Sequence, residues 1–188
     1  MLPAATGLAS TGQTTPLHTA AGYDQLEEVI ALLKQGADPN AAGEHLATPL
    51  HSAAKGGAVG AIRLLVQHGA ALDARTAAGA TALNWAAFEC QTGACRELVA
   101  LGACVNTPGE TGFTPLMFAA LNDDSGDCVR ALLQMGADTH ARCSTAGETA
   151  LHEAAFQGRV EAVRALLDAG APATGKDGAN LQGRSPLH

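Results

Sequence analysis

Thr15-Pro16-Leu17-His18-Thr19-Ala20-Ala21, TPLHTAA, holds the opening of a helix. A threonine hydroxyl can accept from a free backbone N–H of the first turn. A proline at the first helical position lacks only an N–H that would be unpaired anyway. The pattern then returns. TPLH starts again at Thr48, TALN at Thr81, TPLM at Thr114, TALH at Thr149 and SPLH at Ser185, at steps of 33, 33, 33, 35 and 36 residues. A second marker keeps the same step: Gly-Ala at Gly36, Gly69, Gly102, Gly136 and Gly170. Two independent markers in phase define a repeat.

Within each unit the residues specify two short helices. The leucine of the motif (Leu17, Leu50, Leu83, Leu116, Leu151) points inward, and small pairs such as Ala20-Ala21, Ala53-Ala54 and Ala86-Ala87 let neighbouring helices approach closely. Counting back ten, seven, four and three residues from the closing glycine gives Leu26, Val29, Leu32 and Leu33 in the first unit. The same count gives Val59, Ile62, Leu65 and Val66 in the second, and Val160, Val163, Leu166 and Leu167 in the fifth. That spacing is one helical face. The glycine supplies the left-handed conformation that commonly ends a helix. One unit alone has too little core to fold, so stacking must bury these faces.

A period near 33 residues with T-P-L-H-x-A marks the ankyrin repeat, and the chain resembles that family from about residue 11 to its end. The resemblance implies an all-α repeat solenoid: stacked helix-turn-helix units with projecting β-hairpin or turn fingers. It places an N-terminal extension at 1–10 and repeats at 11–43, 44–76, 77–109, 110–144 and 145–180, with residues 181–188 opening a sixth. The fifth unit keeps an internal-type apolar face where a terminal unit would turn a polar one outward. The array is therefore expected to continue past His188. Extra residues fall in Asn122–Gly126, between the helices of the fourth unit, and in the fingers before Thr149 and Ser185. These are surface positions where insertions are tolerated.

Composition excludes several classes of function. Hydrophobic residues are 47% of the 188 and aromatics only 3%, so the core is built from Leu, Val, Ile and Ala. A formal charge of −7, spread along the chain, argues against nucleic acid and against a polybasic membrane anchor. No apolar run approaches the ~20 residues of a membrane span, and the N-terminus lacks the pattern of a secretory signal. The five cysteines are spaced irregularly and read as free thiols in a reducing, cytoplasmic compartment, with the nucleus also open to the protein.

Candidate chemistry dissolves into structure on inspection. His18, His51, His152 and His188 share the fourth motif position, where two units carry Asn84 and Met117 instead. In the family this imidazole makes hydrogen bonds within and between units. His68 precedes a closing glycine, where its charge suits a helix C-terminus, and His45 and His140 sit on fingers. Cys95 takes the core position held elsewhere by Val29, Ile62, Val129 and Val163, and Cys128 stands one residue off it. Cys104 and Cys143 fall outside the helices. No CxxC pair, zinc-ligand spacing or phosphate loop is present, and HEAAF at His152 lacks the second histidine of a zinc-protease motif. No catalytic residue, metal or cofactor is expected.

What remains is a surface. In ankyrin proteins the partner usually contacts the concave side, formed by finger tips and the exposed edge of each first helix. Carried onto this chain, that edge includes Tyr23, Lys55, Phe88, Glu89, Leu121, Asn122, Phe156 and Gln157, and the fingers add Glu110, Phe113 and Glu148. Four of the six aromatics fall there; Trp85 and Phe118 occupy a position that normally faces the neighbouring unit. Contiguous exposed apolar surface marks an interaction site, and the rival arrangement has these rings folded down between helices. Glu44, Glu89, Glu110, Asp123 and Asp124 are expected to form a negative rim. The expected function is a non-catalytic, monomeric scaffold that binds a protein or peptide with apolar anchors and basic flanks. The alternatives are the targeting segment of a larger enzyme, such as a kinase or ubiquitin-ligase component, and a pure structural spacer.

Overall fold

The computed structural model describes residues 12–173 and 179–186; the extension at 1–10 and His188 of the last motif lie outside them. Among these residues the helices are α1 (Pro16–Gly22), α2 (Leu26–Lys34), α3 (Pro49–Gly56), α4 (Val59–Gln67), α5 (Ala82–Phe88), α6 (Thr92–Ala100), α7 (Pro115–Asn122), α8 (Asp127–Gln134), α9 (Ala150–Phe156) and α10 (Val160–Asp168). Odd-numbered helices pack side by side in one layer and even-numbered helices in a second, each pair joined by a tight turn.

The pattern of burial follows the repeat. Leu17, Leu50, Leu83, Leu116 and Leu151 are at most 2% exposed, and Val29, Ile62, Cys95 and Val129 are fully enclosed. The alanine pairs of α1, α3, α5 and α7 are also fully buried, so the first helices approach almost backbone to backbone. At one crossing a Cβ on Gly56 would lie 2.0 Å from the Gly22 carbonyl oxygen, so only glycine fits there. The closing glycines all have φ between 80° and 108°, the left-handed region that avoids a Cβ penalty. Leu26, Val160 and Leu167 are exposed, because α2 and α10 each lack a neighbour on one side among the described residues.

Histidines tie unit to unit. The Nδ1 of His18, His51 and His152 accepts from the backbone N–H of Thr15, Thr48 and Thr149 at 3.1–3.2 Å, and from the hydroxyl of the same threonine. An amide N–H can only donate, so Nδ1 is the bare nitrogen and the proton sits on Nε2. Nε2–H then donates across to the carbonyls of Ala47, Ala80 and Arg184 at 3.0–3.1 Å. Asn84 reproduces both halves, accepting from Thr81 N–H through Oδ1 and donating to the Thr107 carbonyl through Nδ2. Met117 can do neither. Burial lowers the His51 pKa below its ordinary 6.5. Its contribution to stability is therefore present above about pH 6.5 and lost as pH falls through the lowered value.

The fingers take the turn form, with no strand among the described residues. A hairpin-type backbone bond closes each one, as in Thr76 N–H to Ala80 O (3.0 Å) and Gly109 N–H to Phe113 O (2.9 Å). A backbone bond also links finger to finger: Ala77 N–H to His45 O, Glu110 N–H to Ala78 O, Ser144 N–H to Thr111 O and Leu181 N–H to Ala146 O. On the opposite layer Asn40 bridges to the next unit, donating to Gly69 O and accepting from Ala71 N–H. Asn106 does the same with Gly136 O and Asp138 N–H.

The expected insertion at Asn122–Gly126 is not a slack loop. Asp123 is 3% exposed and its carboxylate folds back over the start of α8. Oδ1 accepts from Gly126 N–H and the Ser125 hydroxyl, and Oδ2 accepts from Val129 N–H at 2.9 Å. This caps the orphan amides of the helix N-terminus, where a negative charge also meets the favourable end of the helix dipole.

Candidate partner-binding surface

Along the edge between the odd-numbered helices and the fingers runs a groove, one part of which is a cavity of about 330 Å³. It is lined by Lys55 of α3, Ala78 and Ala80 of the finger, Asn84, Trp85 and Phe88 of α5, Glu89, and Phe118 of α7. Trp85 and Phe118, assigned from sequence to the inter-unit face, do both jobs. Trp85 lies edge-on to the His51 ring at 5.6 Å, and Phe118 sits between Phe88 (6.1 Å, edge-on) and Phe113 (5.5 Å), yet each is half-buried and lines the groove.

The residues expected at the edge take different places in the structure. Phe88, 44% exposed, forms the wall of the central cavity, and half-buried Phe113 rests on Phe118 beside it. Lys55 stands 5.8 Å above the Trp85 ring and 4.0 Å from Glu89, so both exposed charges belong to the same rim. Asn122 spans two units by donating to the Phe88 carbonyl at 2.9 Å, and the half-buried Leu121 offers its carbonyl to Arg159 Nε at 2.9 Å. Glu110 is exposed on its finger. Tyr23 and Phe156, at 77% and 86% exposure, stand apart from the central trio at opposite ends. Each borders a separate hollow, Tyr23 with Gly22 and Ser52, and Phe156 with Gln157 and His152.

The negative rim needs correction. Asp123 is consumed as the cap of α8, so it presents no charge to a partner. Asp124 is paired with Arg159. The acid that sequence reasoning missed is Glu153, on the same position of α9 that Trp85 holds on α5 and Phe118 on α7. It is 8% exposed and faces Glu148. Burial, with the neighbouring charge of Glu148, pushes its pKa up to about 7. The raised value means that its contribution to stability is complete below about pH 4.5 and is lost as pH rises through about 7. Glu153→Gln is accordingly expected to stabilise the protein at pH 8 relative to pH 5. The difference should be on the order of 1–2 kcal/mol, because Glu148 is half exposed and solvent screens the pair. Denaturant melts of both proteins at the two pH values check this, and an equal gain at both would refute it.

Four of the five thiols are packed into the fold, and Cys104 is exposed. Cys95 and Cys128 are buried with their sulfurs 3.9 Å apart, and Cys143 is buried although it lies on a finger. Contact with Cys128, then burial, pushes the Cys90 thiol far above the usual range, which opposes thiolate chemistry. His45, His68 and His140 are exposed, and His68 Nδ1 meets the Leu64 carbonyl at 2.8 Å at the end of α4. Among the described residues no three His, Cys, Asp or Glu side chains converge as a metal site would require. Nor is any helix there long and apolar enough to cross a membrane.

A family model for ankyrin repeats in three copies matches residues 3–76, 42–109, 68–143 and 116–188, overlapping along almost the whole sequence. The chain belongs to the ankyrin-repeat family. Among curated proteins it is similar to the Neurogenic locus Notch protein of Drosophila melanogaster, 47% identical over 57 residues. The match covers 30% of this chain and 2% of that relative's length.

Proposed function

We propose that the chain is a non-catalytic recognition scaffold, built of repeats at 11–43, 44–76, 77–109, 110–144 and 145–180, that holds a partner protein or peptide along its concave face. The observation carrying this is the placement of scarce aromatics. Only six exist in the chain, and Trp85, Phe88 and Phe118 line one open groove while the core is filled with leucine and alanine. Aromatic side chains concentrate at interface centres, where a few anchors dominate affinity. Lys55, Glu89 and Glu110 supply a polar rim around that centre.

Trp85 is the single tryptophan and half-buried in the groove, so its emission reports occupancy directly. Peptides selected from a displayed library on the purified chain should shift Trp85 fluorescence saturably. Phe88→Ala should weaken that binding by about 2 kcal/mol, roughly thirtyfold, with little change in melting. Selected peptides that leave Trp85 emission unmoved, or bind the variant equally well, would place recognition elsewhere.

A further inference from the structure

We propose that Trp85 and Glu89 form a receptor for an arginine side chain of the partner segment, in the place that Lys55 of the chain itself holds in the free protein. The inference rests on the groove reading above and names the partner's chemistry at its centre. Its first ground is the cation already seated there. The Lys55 ammonium lies 5.8 Å from the centre of the Trp85 ring and 4.0 Å from Glu89 Oε1. All three residues line the same cavity of about 330 Å³, in which Lys55 is the one cation and Glu89 the one acid. A ring face and a carboxylate on one rim attract a positive charge from both sides.

The second ground is that lysine fills this place poorly. At 4.0 Å the ammonium stands beyond hydrogen-bond distance of the carboxylate, and the Lys55 side chain is 59% exposed. An exposed pair of this kind contributes little, so displacing it costs little. Among the described residues neither side chain has another ion-pair or hydrogen-bond partner. The Trp85 face beneath Lys55 carries no other ring either. Trp85 meets His51 edge-on at 5.6 Å, while Phe88 and Phe118 pair with each other at 6.1 Å.

Arginine satisfies both groups at once. Its guanidinium is planar, so it can lie flat on the indole while its edge presents two N–H donors to the Glu89 carboxylate. It is also more weakly hydrated than an ammonium, and so loses less on entering an apolar cavity. The methylene stem then runs along the wall made by Ala78, Ala80 and Phe88. Glu110, whose N–H donates to the Ala78 carbonyl at 3.2 Å, adds a second acid beside that wall. Arg75 on the same finger is no rival occupant, because its guanidinium donates to the carbonyls of Gly79 and Pro108 at 2.9 Å. The formal charge of −7 favours the approach of a basic segment.

The test is a displayed random-peptide selection at pH 7.5 on the full chain, followed by affinity measurements with one selected peptide. The selected peptides should share an arginine and shift Trp85 emission. Replacing that arginine by citrulline, its uncharged isostere, should weaken binding to the parent about tenfold and leave binding to Glu89→Gln unchanged. Lys55→Gln should strengthen the arginine peptide about threefold, because it empties the place, and leave the citrulline peptide where it was. Both positions are exposed, and unchanged melting verifies the fold of each variant. Three results overturn the receptor while the groove stands: selected peptides that move Trp85 emission without an arginine, an equal citrulline loss on Glu89→Gln, or an arginine peptide that binds Lys55→Gln no better. A chain that selects no peptide overturns the groove itself, and the receptor with it.

Discussion

Asp123→Ala is expected to destabilise the protein by about 2–4 kcal/mol, although Asp123 lies in a loop that the repeat pattern marks as an insertion. The substitution strands two buried backbone amides, Gly126 N–H and Val129 N–H, and frees the Ser125 hydroxyl. Hydrogen bonds to a charged acceptor contribute about 1.5–3 kcal/mol each, and loss of an N-cap alone costs up to about 2. The effects overlap, so the total falls below their sum. Asp123→Asn keeps one oxygen acceptor and should recover part of the loss. Hydrogen exchange localises the damage: the amide of Val129 should lose protection first, with α8 following it. An alanine variant that melts with the parent and keeps Val129 protected would mean that solvent replaces the cap without cost.

Leu65→Ala should cost about 2–5 kcal/mol, and it calibrates every groove variant. Leu65 is fully buried in α4. Removing three carbons there leaves a cavity that close-packed neighbours cannot fill. In a stacked array such a loss can appear as melting of a few units ahead of the rest, because each unit contacts only its neighbours. Denaturant curves followed by circular dichroism and by Trp85 emission should then separate. Phe88→Ala should leave both probes near the parent midpoint. If it falls as far as Leu65→Ala, the ring is part of the packing and the groove is not its purpose.

The repeat made the helices, their inward leucines and their capping threonines legible, because period and residue type agreed in every unit. Even the imidazole bridges were visible as a position, though their direction was not. It takes the fold to show that Nδ1 faces the unit's own threonine and Nε2 the next finger. Asp123 was misread because its neighbours in sequence are acidic and polar, which looks like solvated surface. Its capping role depends on how the chain turns at Gly126. Glu153 was passed over because its motif suggested a failed zinc site, whereas its meaning comes from α7 beside it. Asn40 and Asn106 carry no signal short of knowing that the next closing glycine lies within reach of their amides. For Glu153 and the two asparagines the missing information is a contact between units; for Asp123 it is the local turn that brings its carboxylate onto the start of α8.

The Met117 position makes the seam between α7 and α9 mechanically unlike the others. There the imidazole strut is absent, and near the finger tips a lone Ser144–Thr111 backbone bond spans the gap. At the far end of α7, Arg159 grips both the Leu121 carbonyl and Asp124. Met117, 1% exposed, fills that seam with an apolar side chain instead, so packing holds the finger side and polar bonds hold the far side. A partner lying across it meets a joint set by side-chain fit at one edge and by charge at the other.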